Sequence, residues 1–115
     1  MNKLGSSEEH TRILKETLLL LGGSNFCRVW RQETGMALNI RTGTPFKYGL
    51  VGGADIIGIL NDGRFLAIEI KSGNAVQSKE QKNFEAMIKK FGGVYFVATS
   101  CDEALKKLTE SLSST

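Results

Sequence analysis

Several features that mark particular classes of protein are scarce in this chain of 115 residues. It has a single proline, which argues against long disordered or proline-rich stretches. Its two cysteines, Cys27 and Cys101, show neither the dense spacing of a disulfide scaffold nor the Cys-x-x-Cys pattern of a metal site. We therefore expect both cysteines to be reduced thiols in the core. We expect no fold stabilised by disulfides or by a structural zinc ion.

Long hydrophobic runs are missing as well. No stretch approaches the roughly 18 consecutive apolar residues of a membrane span. Met1 is followed by polar residues rather than by the basic and apolar segments of a signal peptide. The sequence predicts an intracellular protein.

What remains is the composition of one globular domain over residues 1–115. Hydrophobic residues make up 41% of the chain and charged residues 23%, which is ordinary for a soluble fold. The net charge of +3 is compatible with a polyanionic partner but is equally found in proteins that bind none. Composition alone therefore leaves the partner open.

Hydrophobic periodicity and turn residues predict seven segments. In order, they are a helix over Ser7 to Gly22, a strand within Asn25 to Glu33, a long loop broken at Thr34-Gly35 and at Thr42 to Pro45, a two-strand hairpin over Ala54 to Ser72, a helix over Ser78 to Phe91, a strand over Val94 to Ala98 and a helix over Cys101 to Leu112. A helix that links the hairpin to a further strand is a crossover. We expect an α/β fold with a mixed central sheet flanked by helices.

Three charged residues, Asp55, Glu69 and Lys71, lie at the ends of the otherwise apolar hairpin strands. Charges in such positions are costly unless they are paired, solvated or bound to a metal. A two-residue turn at Asp62-Gly63 would place Asp55 on the opposite face from Glu69. A three-residue turn over Asn61 to Gly63, with the glycine in the left-handed conformation, would pair Asp55 with Glu69. We expect the second register.

Two carboxylates that face each other across a strand pair repel unless a positive charge lies between them. Oxygen ligands with room for water suit Mg²⁺ or Mn²⁺ rather than zinc, and such an ion with a neighbouring lysine is suited to phosphodiester hydrolysis. The alternative is a structural salt bridge in which Lys71 pairs with Asp55 or Glu69. The three residues alone leave both interpretations open.

The surrounding segments favour the first interpretation. Gly52-Gly53-Ala54-Asp55, Glu69-Ile70-Lys71, Ser78 to Gln81 and Gly92 to Tyr95 together resemble the virus-type replication-repair nuclease (VRR-NUC) family of the PD-(D/E)XK superfamily. The resemblance covers nearly the whole chain and implies a restriction-endonuclease-like αβββαβ core. It also implies a location in the cytoplasm of a bacterial or phage-infected host. Ala54 stands where the superfamily usually has proline. Gly52 and Gly53 would let a DNA backbone approach the metal, or form a bulge.

The resemblance also implies roles for individual residues. Asp55, Glu69 and the backbone carbonyl of Ile70 become ligands of Mg²⁺ or Mn²⁺, and Lys71 becomes the catalytic lysine. Gln81 would face the site, although Ser78 and Gln81 also match a helix capping box. A first-helix glutamate completes the family's site.

Glu9 is our choice for that glutamate over Glu8. Its spacing to the next aliphatic residue departs from the family pattern by one, and Glu9 could instead cap the helix with Ser6. The adjacent His10 receives no role. A third capping box is predicted at Ser100 and Glu103.

Basic residues surround the predicted site and form no base-reading signature. The candidate DNA contacts are Arg31, Arg41, Lys47, Lys79 and Lys82, although the loop carrying Arg41 and Lys47 could simply be solvated. Stand-alone family members resemble Holliday junction resolvases, so the resemblance implies a homodimer that cuts branched DNA. A nuclease for flaps or single strands, and a non-catalytic nucleic-acid-binding domain, are the alternatives.

Overall fold

The computed structural model describes residues 6–33, 35–48 and 52–113, without the side chains of residues 6, 36, 47 and 48. Its elements are α1 (Ser6–Gly22), β1 (Cys27–Arg31), β2 (Gly35–Leu38), β3 (Pro45–Tyr48), β4 (Ile56–Leu60), β5 (Phe65–Ile70), α2 (Lys79–Lys90), β6 (Val94–Ala98) and α3 (Cys101–Ser113). Within these ranges no helix combines the length and the apolar character needed to cross a bilayer.

Four strands form the main sheet in the order β1-β4-β5-β6. The first two pairings are antiparallel, and β5 pairs with β6 in parallel. Helix α2 is the crossover that a parallel neighbour requires, since two parallel strands cannot be joined by a tight turn. The predicted mixed α/β sheet is therefore confirmed.

Helices cover both faces of this sheet. On one face, α1 and α3 bury the larger core, in which Ile13 and Leu108 pack against Ile56 and Ile68. On the other face, α2 packs Phe84 and Ile88 over Ala67 and Tyr95, and Phe84 meets Tyr95 edge to face with ring centroids 6.2 Å apart. Successive side chains along each strand point to opposite faces of the sheet. Alternate residues therefore contribute to the larger core and to the core beneath α2.

Neither cysteine forms a disulfide. Cys27 is buried in the larger core, as expected, whereas Cys101 is only half-buried at the start of α3. The expectation of two core thiols therefore holds for Cys27 alone.

The predicted long loop after β1 is wrong, because β2 and β3 form a separate antiparallel hairpin there. Pro45 was interpreted as a break, but it is the first residue of β3, where a strand tolerates proline. Thr42 to Thr44 belong to the turn: the Asn39 side chain accepts hydrogen bonds from the backbone of Arg41 and Thr42, and Gly43 has a φ of 69°. These turn residues therefore connect two strands.

Gly52 has a φ of 77°, and a Cβ at this position would lie 2.5 Å from the backbone carbonyl of Glu80. No residue other than glycine fits there without a shift. The sequence interpretation assigned the Gly52-Gly53 pair to DNA approach or a bulge. In the structure, Gly52 lets the segment before β4 pack directly on the first turn of α2. This contact holds the start of α2 next to the edge of the sheet where β4 begins.

Candidate active site

The turn between β4 and β5 sets the register of the site. Leu60 N–H donates to the carbonyl of Arg64 at 2.9 Å, Gly63 N–H donates to the carbonyl of Leu60 at 2.9 Å, and Gly63 has a φ of 92°. Ile56 pairs with Ile68, so the same register places Asp55 opposite Glu69. The three-residue turn predicted from the sequence is confirmed.

Asp55 lies just before β4 and is held by the neighbouring strand. Its Oδ2 accepts a 2.8 Å hydrogen bond from the backbone N–H of Ile70. The same oxygen lies 3.3 Å from Nε2 of His10, which reaches it from α1. Asp55 is half-buried, so its carboxylate is fixed in direction while still open to a cleft of about 350 Å³ that His10 and Arg31 help to line.

Glu69 is the buried carboxylate of the site, with a residue exposure of 3%. Its Oε1 accepts a 3.0 Å hydrogen bond from Nε2 of Gln81, whereas its Oε2 is buried and has no hydrogen-bond partner. Burial raises the pKa of Glu69 to about 8; the neighbouring Asp55 carboxylate adds to this increase and Lys71 opposes it. A buried carboxylate oxygen without a partner, beside a second carboxylate, carries a free-energy cost of desolvation and charge repulsion. A bound cation would offset this cost.

Lys71 and Gln81 form one hydrogen-bonded unit. Nζ of Lys71 donates to Oε1 of Gln81 at 2.9 Å and lies 3.8 Å from Oε1 of Glu69. The Lys71–Glu69 ion pair of the alternative interpretation is therefore present, at a long distance. The primary partner of the ammonium group is the amide oxygen of Gln81.

Gln81 also caps α2, so its side chain both contacts the candidate site residues and closes the first turn of the helix. The backbone N–H of Ser78 donates to Oε1 of Gln81 at 2.8 Å, and the backbone N–H of Gln81 donates to Oγ of Ser78 at 3.1 Å. This is a complete capping box. The cap orients the glutamine, and its amide thereby bridges Lys71 and Glu69.

The donor set fits a hard divalent ion. Two carboxylates, one of them with an orphaned oxygen, and the nearby backbone carbonyl of Ile70 are oxygen ligands that leave positions for water. Within the ranges that the structure describes, no group of three or more His, Cys, Asp and Glu side chains is gathered as a metal cluster. Oxygen donors of this kind suit Mg²⁺ or Mn²⁺ better than zinc, which favours nitrogen and sulfur ligands.

No protein-family model matches this chain, and a search of curated proteins finds no significant match. Its function therefore has to be inferred from the side chains of the site.

From α1, the side chain of His10 reaches the site. In the described part of the chain, no hydrogen bond or ion pair joins Glu9 to Asp55 or Glu69, and Glu9 as a metal ligand stays a prediction. The alternative cap with Ser6 involves a side chain outside the described residues. A helical pattern could have indicated His10, because it continues the stripe of buried α1 residues at intervals of three, four, seven and eleven: Ile13, Leu14, Thr17 and Leu21.

Three of the candidate DNA contacts lie on elements next to the site. Arg31 is exposed at the end of β1, with its guanidinium 3.6 Å from Glu33. Lys79 and Lys82 are exposed in the first turns of α2, and Arg41 is exposed at the β2–β3 turn. The side chain of Lys47 in β3 lies outside the described residues. The side chains of Arg31, Lys79 and Lys82 are thus carried by the elements that hold Asp55 and Gln81.

Proposed function

We propose that this protein is a Mg²⁺- or Mn²⁺-dependent deoxyribonuclease that hydrolyses phosphodiester bonds. The observation that carries the proposal is the position of Glu69. Its Oε2 is buried without a partner, Asp55 is its cross-strand neighbour, and Lys71 is held beside it by Gln81. A buried carboxylate oxygen without a hydrogen-bond partner, next to a second carboxylate, is a position that a bound cation would stabilise.

Each residue has a role that follows from its contacts. Asp55, Glu69 and the Ile70 carbonyl would hold the ion, and the Ile70 N–H keeps the Asp55 carboxylate in place. The bound ion supplies a water of lowered pKa and a positive charge beside the scissile phosphate. The Lys71 ammonium, anchored by Gln81, would orient the attacking water or stabilise the negative charge that develops on the phosphate.

We further propose a restriction-endonuclease-like core of the VRR-NUC type. When the β2–β3 hairpin is set aside, α1, β1, β4, β5, α2 and β6 follow the order helix, three strands, helix, strand. The candidate residues lie where β4 begins, where β5 ends and in the first turn of α2. This coincidence of element order and residue placement supports the resemblance.

The substrate that we propose is structured DNA, cut by a homodimer in the manner of a Holliday junction resolvase. Exposed basic residues without a base-reading motif favour recognition of backbone shape. Apolar side chains on the α2 face of the sheet support self-association, since Trp30 is 51% exposed and Phe91 78% exposed. Phe91 also lines an apolar cavity of about 300 Å³, together with Phe65 and Met87.

Metal-dependent cleavage tests the proposal. The purified protein is incubated with four-way, flapped, nicked and linear DNA in Mn²⁺, Mg²⁺ or EDTA. We expect cleavage with metal only, and Glu69→Gln or Lys71→Met should reduce the rate on the order of 100-fold or more while DNA binding is retained.

Matched controls are Glu16→Gln and Lys106→Met, which change exposed residues on α1 and α3 and should cleave normally. Intact protein that binds DNA but never cuts it would contradict the nuclease and leave a binding domain. Cuts confined to one strand, made by a monomer, would exclude the resolvase and favour a flap or single-strand nuclease.

A further inference from the structure

A side-chain amide outside the candidate site joins three parts of the molecule on the α2 face of the sheet. Nε2 of Gln77 donates one hydrogen bond to the hydroxyl oxygen of Tyr95 in β6 at 3.1 Å, and another to Oε1 of Glu85 in α2 at 3.2 Å. An amide nitrogen carries two hydrogens, so one bond to each acceptor uses both of them. Gln77 thereby connects the segment between β5 and α2 to β6 and to α2.

Gln77 anchors a segment that is otherwise exposed. Residues 71–78 contain no helix or strand, and every residue from Gly73 to Glu80 except Gln77 is exposed. Gln77 itself is half-buried, and its acceptor Tyr95 is only 5% exposed. The side chain of Gln77 therefore determines how this segment approaches the start of α2.

The anchored segment leads directly into the candidate site. The peptide group between Gln77 and Ser78 supplies the N–H that donates to Oε1 of Gln81 at 2.8 Å. The same oxygen accepts the 2.9 Å bond from Nζ of Lys71. The position of Gln77 thus sets the direction of a donor that holds the acceptor of the Lys71 ammonium group.

Tyr95 suits this arrangement because its hydroxyl stays neutral. Burial raises the pKa of Tyr95 to about 12; the hydrogen bond from Gln77 opposes this increase and the nearby charge of Glu69 adds to it. A neutral hydroxyl can accept from Gln77 without placing a further negative charge near the carboxylates of the site.

We propose that Gln77 is a positioning residue of the candidate site. Its anchored side chain fixes the N–H of Ser78, and through Gln81 it keeps the Lys71 ammonium group in place. The inference rests on the proposed function, in which Lys71 acts on the attacking water or the phosphate. A displacement of about 1 Å of such a group costs on the order of 100-fold in rate, so a residue that holds it from outside the site affects catalysis.

Nuclear magnetic resonance of the metal-free protein tests the positioning without a cleavage assay. Gln77→Met replaces the amide by an apolar side chain of similar length. It should speed hydrogen exchange of the Ser78 N–H on the order of tenfold and change the Ile68 N–H in the centre of the sheet much less. The ¹⁵N-labelled ammonium group of Lys71, assigned with Lys71→Met, should lose its signal in Gln77→Met, because a hydrogen bond that slows its proton exchange is weakened.

Two further variants separate positioning from loss of structure. Tyr95→Phe removes only one of the two acceptors, and it should change the Ser78 exchange rate and the Lys71 signal in the same direction but by less. Asn74→Leu also replaces an amide by an apolar group of similar size, at an exposed position of the same segment. It is the matched control and should behave as wild type in both measurements.

Cleavage of DNA with Mn²⁺ connects the position of Lys71 to the reaction rate. Gln77→Met should lower kcat and kcat/KM together, on the order of tenfold or more, because an interaction made in the transition state is impaired. The KM for DNA and the calorimetric Kd for Mn²⁺ should stay near those of wild type. Rates are expressed per folded molecule, with the folded fraction measured by circular dichroism, so that a loss of stability alone leaves kcat unchanged.

The outcomes are distinguishable. An unchanged Ser78 exchange rate or an unchanged Lys71 signal in Gln77→Met overturns the role of Gln77, and so does a lost Lys71 signal with a normal kcat. Equal acceleration at Ser78 and Ile68, in this variant and in Tyr95→Phe, would reduce Gln77 to a residue that stabilises the fold. Wild-type protein that never cuts DNA refutes the proposed function, whereas local changes at Ser78 and Lys71 would still support the positioning.

Discussion

Glu69 places a carboxyl group where its charge is costly. Burial and the adjacent Asp55 raise its pKa to about 8, from 4.5 in the unfolded chain. The folded state therefore binds a proton more tightly than the unfolded state between these two values. The stability that this proton provides is complete below about pH 4.5 and is lost progressively as the pH rises to about 8.

Metal-free protein should accordingly be less stable at pH 8 than at pH 5, by an amount on the order of a few kcal/mol. Glu69→Gln should remove most of this slope and be the more stable protein at pH 8. Urea unfolding at several pH values in EDTA measures the effect, with Glu16→Gln as the surface control. A wild-type slope no steeper than that of Glu69→Gln would contradict the assignment.

At the level of single residues, sequence reasoning succeeded where the determinants are local. Asp55, Glu69 and Lys71 could be placed together because a three-residue turn with a left-handed glycine fixes the strand register. His10 was missed because its contact joins residues 45 positions apart and depends on how α1 packs on the sheet. The relative positions of the charged residues of the hairpin were thus predictable from the sequence, whereas the docking of α1 on the sheet was not.

Among the elements, the two hairpins differ in how far the sequence predicts them. The β4–β5 hairpin has apolar strands and a recognisable turn. The β2–β3 hairpin has four-residue strands and a proline at a strand start. Among the described residues, it has at most slight packing against another helix or strand. Short strands outside the core lack the alternation of buried and exposed residues on which prediction depends, so the structure was needed to find them.

The start of α2 depends on its contact with Gly52. Gly52→Ala should destabilise the protein by about 1–3 kcal/mol, because a Cβ would meet the backbone of Glu80 and the φ of 77° is unfavourable for alanine. Since Gln81 follows directly, the variant should also lose metal-dependent cleavage. Thermal unfolding and the cleavage assay measure the two effects.

Gly92→Ala is the matched control at the other end of α2. Its φ of 84° imposes the same backbone strain, but no atom lies within 4 Å of the added Cβ. It should cost only about 1 kcal/mol and retain cleavage. Equal behaviour of the two variants would show that the contact with Glu80 is unimportant.

The radius of gyration of the structure is larger than that of a typical compact domain of the same length. Its radius of gyration is 15.4 Å, against about 13 Å for a compact domain of this size. A peripheral hairpin and an incompletely covered sheet face are consistent with this value. Large exposed apolar patches mark interaction surfaces. The exposed apolar side chains of the hairpin and of the uncovered sheet face therefore support the proposed dimer.

Trp30→Glu should therefore convert a dimer into a monomer, raising the dimer Kd roughly 30-fold or more. A charge on the exposed α2 face of β1 would be buried without a partner in the complex. Light scattering after size exclusion, at concentrations from 1 to about 100 μM chosen to span typical dimer Kd values, measures the mass. Leu19→Glu, at an exposed apolar position on α1, is the control and should remain dimeric. A wild-type monomer at every concentration would refute the dimer.

Because Gln81 both caps α2 and binds Lys71, the candidate site can be complete only after α2 has folded. The glutamine that closes the first turn of α2 is also the one that holds Lys71, so the site is assembled only when that helix has formed on the sheet. A nascent or partly unfolded chain still carries both carboxylates but lacks the anchored ammonium group. If the chain is the proposed nuclease, molecules in which α2 has not yet formed should not cut DNA.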